Sequence, residues 1–231
     1  MIVTKNITKL YGKNDTVFTA LEDISCTIPS KSTVAIIGKS GSGKSTLMHI
    51  MSGLDRPTSG SILIDSQDIS ELSAKDIDNF RSTKMSFIFQ SFFVEGNQTC
   101  YQNVMLPLEI ARTPISRRKK LVLDALKAVG LEEKAQTLAA NLSGGQKQRL
   151  AIARAIVHKP RILFADEPTG NLDSVTGDKV MQLLFGLNER IGCTLILVTH
   201  DTDLAKRCAM QIRLKDGRVE SIGRVKKRIT V

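Results

Sequence analysis

Apolar positions along the chain follow two rhythms. Near the N-terminus they alternate with polar ones, from Ile2 to Ile7 and again at Ile24, Cys26 and Ile28. That two-residue period predicts half-buried strands. Pro29-Ser30-Lys31-Ser32 reads as a turn. Thr33-Val-Ala-Ile-Ile37 is an unbroken apolar run, as expected of a strand covered on both faces. Gly38 to Gly43 reads as a glycine-rich loop and Lys44 to Leu54 as a helix. Asp55 to Gly60 is a break, and Ser61 to Ile64 a strand. Ser73 is placed to cap a helix reaching about Arg81, and Met85 to Phe89 reads as the next strand.

From about Cys100 to Lys159 the pattern turns helical. Ser116 is the expected N-cap of one helix, Leu121, Val122, Ala125, Leu126 and Val129 form its apolar stripe, and Gly130 ends it. After Pro160 strands and helices alternate again. Strands are expected over Ile162–Ala165 and Leu195–Val198, and helices over about Ser174–Arg190 and Asp203–Cys208. A final hairpin turns at Asp216-Gly217. The expectation is one α/β domain over 1–231, with a core from 1–89 and 160–231 and a helical subdomain at 90–159.

Composition adds two constraints. The 231 residues are 42% apolar and 24% charged, ordinary for a globular protein. No apolar run approaches the ~18 residues of a membrane-spanning helix, and Met1-Ile-Val-Thr-Lys5 shows no secretory h-region. The chain is therefore expected in the cytoplasm. Cys26, Cys100, Cys193 and Cys208 have neither metal-ligand nor redox spacing and read as free thiols. The net charge is +10. Residues 112–120 contribute +5 through Arg112, Arg117, Arg118, Lys119 and Lys120. Residues 213–231 contribute another +5, and the rest is balanced at 21 basic and 21 acidic residues. Two patches are expected, each a solvated face or a surface for an anionic leaflet or acidic partner.

The chemistry concentrates in three motifs. Gly38-Lys39-Ser40-Gly41-Ser42-Gly43-Lys44-Ser45, followed by Thr46, fits G-x-x-x-x-G-K-[ST] between an apolar run and a helix. Its glycines let N–H groups turn around phosphate oxygens, and the helix start adds partial positive charge. Lys44 is expected on the β- and γ-phosphates and Ser45 on Mg²⁺. Ile162-Leu-Phe-Ala-Asp166-Glu167 delivers two carboxylates to a strand's C-terminal end. Asp166 suits Mg²⁺, and Glu167 suits polarising a water. Leu142-Ser143-Gly144-Gly145-Gln146 opens a helix with bare amides and a hydroxyl, a second anion-binding end.

Phosphate loop, Leu-Ser-Gly-Gly-Gln, apolar-Asp-Glu and the later His200 together resemble the nucleotide-binding subunit of an ATP-binding cassette (ABC) transporter over nearly the whole chain. The resemblance implies a P-loop NTPase (RecA-like) core with an N-terminal antiparallel β subdomain and an inserted α-helical subdomain. It implies Tyr11 stacked on adenine and Gln90 linking Mg²⁺, water and permease. It also implies Asp173 crossing a dimer interface and His200 on the γ-phosphate. The implied cycle closes two chains head to tail around two MgATP, so that Ser143 and Gly145 of one chain cover the nucleotide of the other. The work then passes to a separate membrane permease.

Asp166-Glu-Pro-Thr-Gly-Asn-Leu-Asp173 and Asn103-Val-Met-Leu-Pro-Leu108 are similar to the branch serving FtsX-type permeases, which act in lipoprotein release, macrolide export and bacitracin resistance. Ser86 replaces that branch's usual glycine, and Phe92 to Thr99 departs from its usual Asn-Leu-Leu-rich loop. The alternative is an ABC-type ATPase acting on nucleic acid, which the charge invites. Against it stand the confinement of that charge to two segments and the poor supply of aromatic stacking residues, with no Trp and two Tyr.

Overall fold

The computed structural model describes residues 1–224. The basic residues Lys226, Lys227 and Arg228 of the second patch lie outside the described residues. Two compact units emerge: Met1–Arg81 together with the chain from Thr194 on, and Ser82–Cys193.

In the first unit, β1 (Ile2–Tyr11) pairs antiparallel with β2 (Phe18–Ile28) on one side and β4 (Ser59–Ile64) on the other, and β5 (Gln67–Asp68) extends the sheet. Alternation does its work here: Ile2, Ile7, Leu21, Ile24, Ile28, Ile62 and Ile64 all face inward. The β1–β2 register shifts three times, as bulges do when a long ribbon twists. Both strands therefore outrun the expected runs, β1 reaching Tyr11.

The unit's other strands centre on β3 (Thr33–Ile37), whose four residues Val34 to Ile37 are all buried. It runs parallel to β8 (Thr194–Val198) and β9 (Met210–Lys215). Because β3 is paired on both edges and covered on both faces, it tolerates no polar alternation. β10 (Arg218–Arg224) returns antiparallel on β9. Asp216 and Gly217 take φ of 47° and 75° in the turn between them, as a tight two-residue hairpin requires. Its described residues also form the α-helices α1 (Lys44–Met51), α2 (Ala74–Lys84, continuing past the unit boundary) and α7 (Thr202–Lys206). α1 stops before the expected Leu54. The Ser52 N–H returns to the Met48 carbonyl and the Ser52 hydroxyl to that of His49, which closes the last turn.

The second unit pairs β6 (Met85–Ile88) in parallel with β7 (Ile162–Asp166). It also holds α3 (Cys100–Ile110), α4 (Ile115–Ala128), α5 (Gly144–Ile156) and α6 (Ser174–Ile191). The α4 stripe is buried at Val122, Ala125 and Leu126, with Val129 just beyond the helix. Ser116 does not cap α4: Pro114 is the N-cap residue, and its carbonyl accepts from the Arg117 N–H at 3.0 Å. Proline's restricted φ, here −53°, sets the chain for a helix whose cap lies two residues before the serine. Phe87 and Phe164 stack at 5.4 Å between centroids, and Phe164 is fully buried. All four cysteines are free and buried.

Phe164→Ala is expected to cost about 3–5 kcal/mol by leaving a cavity beside Phe87 on the face of the β6–β7 pair. Urea denaturation followed by far-UV dichroism measures it, and a change under 1 kcal/mol removes this ring from the core's main supports.

Candidate functional site

β3 runs straight into the glycine-rich loop, and α1 begins at Lys44 directly behind it. Lys39, Ser40 and Gly41 are exposed at the crest, while Ser42 and Lys44 are buried. The Lys39 carbonyl accepts both the Ser42 N–H at 3.2 Å and the Lys44 ammonium at 2.9 Å. An uncharged oxygen leaves the lysine's charge available to an incoming phosphate. The Ser42 hydroxyl is buried with no hydrogen-bond partner among the described residues. Gly43 caps α1 in the left-handed region, and the first turn of α1 presents Ser45 and Thr46.

Tyr11 ends β1 beside this loop. Its hydroxyl donates to Asp55 Oδ2 at 2.6 Å, and the Lys9 ammonium bridges to Asp55 Oδ1 at 2.7 Å while lying 4.7 Å from the Tyr11 ring centre. Phe18 meets the ring at 5.7 Å between centroids. Burial pushes the Tyr11 hydroxyl's pKa up to about 12, the bond to Asp55 adds to that, and a bond with Thr46 opposes it. Burial works to raise the Asp55 carboxyl as well. The hydrogen bonds from Lys9, Tyr11 and the Arg56 N–H outweigh it and hold the carboxyl below its ordinary value. Tyr11 is therefore a neutral, oriented ring at any physiological pH. Neither Lys9 nor Asp55 belongs to a motif, because their meeting with Tyr11 depends on the β1–β4 register and the break before β4.

His200 follows β8. Register pairs Ile36 with Val198, so the chain leaves the sheet toward Gly38 and toward His200 from neighbouring strands at the same level. The buried Thr199 anchors that exit: its N–H reaches the Ile36 carbonyl at 3.2 Å, and its hydroxyl accepts from the Asp201 N–H at 3.0 Å. His200 itself is exposed.

The second unit holds the other candidates. Asp166 ends β7 and is half-buried, as is Glu167. Glu167 has φ of 43°, a left-handed conformation costing a non-glycine residue about 1–2 kcal/mol. Its carbonyl accepts from the Gly170 N–H at 3.0 Å. Strain of this kind persists only where surroundings impose it. Here the fully buried Gln148 of α5 donates to the Pro168 carbonyl. Gln90, just after β6, packs against that loop: its carbonyl accepts from Asn171 Nδ2 at 3.0 Å, and a Cβ on Gly170 would stand 2.7 Å from its Nε2.

Ser143 caps α5 reciprocally. Its N–H donates to Gln146 Oε1 at 2.9 Å, and its hydroxyl accepts the Gln146 N–H at 3.4 Å. Gly145 has a packing reason, since a Cβ there would stand 2.5 Å from Thr176 Cγ2 on α6. Asp173 caps α6 by accepting the Thr176 N–H at 2.9 Å, the main cause of its lowered pKa. A cleft of about 690 Å³ joins these ends: Ser143, Gly144, Gly145, Asp173, Arg149 and Lys179 contribute to its walls. Leu-Ser-Gly-Gly-Gln and Asn-Leu-Asp, some thirty residues apart, thus share one cleft with two cations.

The basic patch at 112–120 is partly committed. Arg118 folds back to the Thr113 carbonyl at 2.8 Å and toward Glu109 at 3.4 Å, and Lys120 pairs with Asp124 at 2.7 Å.

A glycine loop cradled between a buried parallel strand and a helix, with carboxylates closing another strand, defines a P-loop NTPase. The profile described as ABC transporter matches residues 21–170. The lipoprotein-releasing system ATP-binding protein LolD of Syntrophotalea carbinolica is 43% identical over 95% of this chain and 96% of its own. The methionine import ATP-binding protein MetN 3 of Pectobacterium atrosepticum is 41% identical over 95% of this chain, which spans 64% of that protein's length. The solved dimer of the ATP-binding cassette MJ0796, in a post-hydrolysis state bound to ADP and Pi, superposes with a TM-score of 0.88 at 40% identity, covering 98% of this chain and 99% of that one. The chain belongs to the ABC transporter family, as an ATP-binding, ATP-hydrolysing subunit. No helix among the described residues is long and apolar enough to cross a membrane.

With Tyr11 as the adenine-stacking ring the family resemblance implies, Asp55→Ala is expected to weaken binding of adenine nucleotides about three- to tenfold. Inorganic triphosphate, which has no base, is expected to bind unchanged. Competition with a fluorescent ATP analogue measures both, and an equal loss for the two ligands removes Asp55 from base recognition. The lowered carboxyl contributes stability present above its unfolded value near pH 4 and lost as pH falls through the folded one.

Proposed function

We propose that this chain hydrolyses MgATP to drive a separate FtsX-type membrane permease, through ATP-dependent head-to-tail pairing of two copies. The observation that carries the reading is the cleft in which Ser143, Gly145 and Asp173 converge. Its walls carry two capped helix starts, the exposed Lys179 and the half-buried Arg149, which also donates to the Val129 carbonyl at 3.1 Å, chemistry suited to the γ-phosphate of a nucleotide held by another copy.

On this reading the amides of Gly38 to Ser45 and the Lys44 ammonium hold the phosphates, and Tyr11 holds the base. The Ser45 hydroxyl and the Asp166 carboxylate are hard oxygen donors of the kind magnesium takes, with Gln90 as a further oxygen. Bound there, the ion supplies charge neutralisation at the phosphate oxygens. Glu167 accepts a proton from the attacking water, and His200 hydrogen-bonds the γ-phosphate. Hydrolysis removes the group that both copies share, so pairing is stronger with ATP than with ADP.

The likeness to a lipoprotein-releasing ATP-binding protein, at 43% identity and nearly full mutual coverage, supports the FtsX-type partner. On this reading the chain works at the cytoplasmic face of a membrane, held by the permease. Residues 92–99, where the chain departs from the branch, form a built surface. Asn103, buried on α3, accepts the Glu95 N–H at 2.8 Å and donates to the Glu95 and Thr99 carbonyls at 3.0 Å. Arg154 donates to the Phe93 carbonyl at 2.6 Å. The Phe93 ring is 64% exposed on this braced loop, which suits it to anchor a partner helix.

Glu167→Gln is expected to bind MgATP, to lose ATP turnover by about a hundredfold or more, and to elute as a dimer in size-exclusion chromatography. A variant that binds MgATP yet stays monomeric sinks the paired arrangement. Lys44→Ala is expected to lose turnover, and normal turnover in it removes the phosphate-loop role. Phe93→Ser is expected to reduce co-purification with the membrane partner while ATPase activity of the isolated chain is unchanged. Undiminished co-purification removes Phe93 from the docking surface.

A further inference from the structure

The two outer glycines of the phosphate loop stand against backbone from elsewhere in the same compact unit. A Cβ on Gly38 would collide with the Leu214 carbonyl oxygen at the end of β9. One on Gly43 would lie 2.8 Å from the Ala20 carbonyl and 3.8 Å from Gly217 Cα, and the Gly43 φ of 97° excludes a side chain independently. Gly41, between them, has nothing within 4 Å of the corresponding position. The loop is gripped at both ends and open in the middle.

The grip comes from β2 and from the β9–β10 hairpin. At the hairpin turn, the Gly217 N–H donates to the Ser42 carbonyl at 3.3 Å, and the Gly217 carbonyl accepts the Glu22 N–H at 2.8 Å. One residue's peptide groups thus run from the phosphate loop to β2. A side chain at 217 would approach the Ala20 carbonyl at 3.0 Å, at a φ of 75°. The next residue locks the bridge: Arg218 Nε and Nη2 close on Glu22 Oε2 and Oε1 at 3.0 and 2.5 Å, a two-pronged, charge-assisted pair.

We propose that the β9–β10 hairpin is a positioning element of the ATP site: Gly217 and the Arg218–Glu22 pair hold Lys39 to Gly43 in the shape that accepts phosphates. A glycine-rich loop loses more conformational entropy on ordering than any other segment of its length. Fixing it before the ligand arrives transfers that cost from binding to folding. Arg218 and Glu22 act through backbone and not on the base, so their effect falls on the polyphosphate of any nucleotide. The proposal rests on the phosphate-loop reading of Gly38 to Ser45.

The test is nucleotide affinity in the full chain, with MgATP, MgGTP and magnesium triphosphate as probes. Arg218→Ala and Glu22→Ala are each expected to raise Kd about threefold, by the same factor for all three probes, with kcat at saturation nearly constant. The double variant is expected to be no worse than either single one, since both remove one interaction. Gly217→Val is expected to raise Kd roughly tenfold or more, and if it fails to fold the side-chain variants carry the test alone. Lys44→Ala serves as control: normal triphosphate binding in it defeats the phosphate-loop reading itself. If Lys44→Ala loses binding while Arg218→Ala and Glu22→Ala bind like the parent, the hairpin has no positioning role. Lower melting temperatures with unchanged Kd overturn the proposal, as do additive effects or a loss confined to MgATP.

Discussion

A loop that offers backbone N–H groups to a ligand has given up the side chains that would hold it in place. Everything around Gly38 to Ser45 answers that constraint. β3 is buried on both faces and paired on both edges, so the loop starts from a fixed point. α1 begins at Lys44, so it ends on another. Between these points the Leu214, Ala20 and Gly217 backbones press where side chains are missing. Glycine here serves two physical needs at once, close approach at the ends and open amides in the middle.

The second unit meets the same constraint with different parts. Its presented groups are the starts of α5 and α6, capped by Ser143 and Asp173. Gly145 lets Thr176 approach, which brings the two helix starts to one cleft. Behind them, Gln148 is fully buried and committed to the Pro168 carbonyl, close after the strained Glu167. Gln90 and Asn171 tie the strand exit after β6 to that same loop. Losing the Gln148 contact would leave the Pro168 carbonyl and a buried amide unpaired, which is costly next to a strained residue.

Much of this was legible in the residues. The apolar run Thr33–Ile37 corresponds residue for residue to β3, because a doubly covered strand leaves no other pattern. Leu142 to Gln146 opens α5 as expected, and Asp216-Gly217 forms the hairpin turn, since both signals act within four residues. The serine at 116 misled for the same local reason: Pro114 carries a stronger constraint on φ and starts the helix first. Helix α1 ends three residues before the expected Leu54 because the closure at Ser52 is a hydrogen-bonding detail without a periodic signature.

Sequence alone determined the fold class, the order of most of its elements and the chemistry of its motifs, because these rest on periodicity, turn residues and donor types that act over a few positions. It also determined family membership, through motifs whose order no local accident reproduces. Only the tertiary structure decided which groups orient those motifs. Asp55 meets Tyr11 across 44 residues, Gln148 meets Pro168 across 20, and Arg218 meets Glu22 across 196. Such partners are chosen by strand register and helix packing, and those are set by the burial of the whole core and by no single segment of the chain.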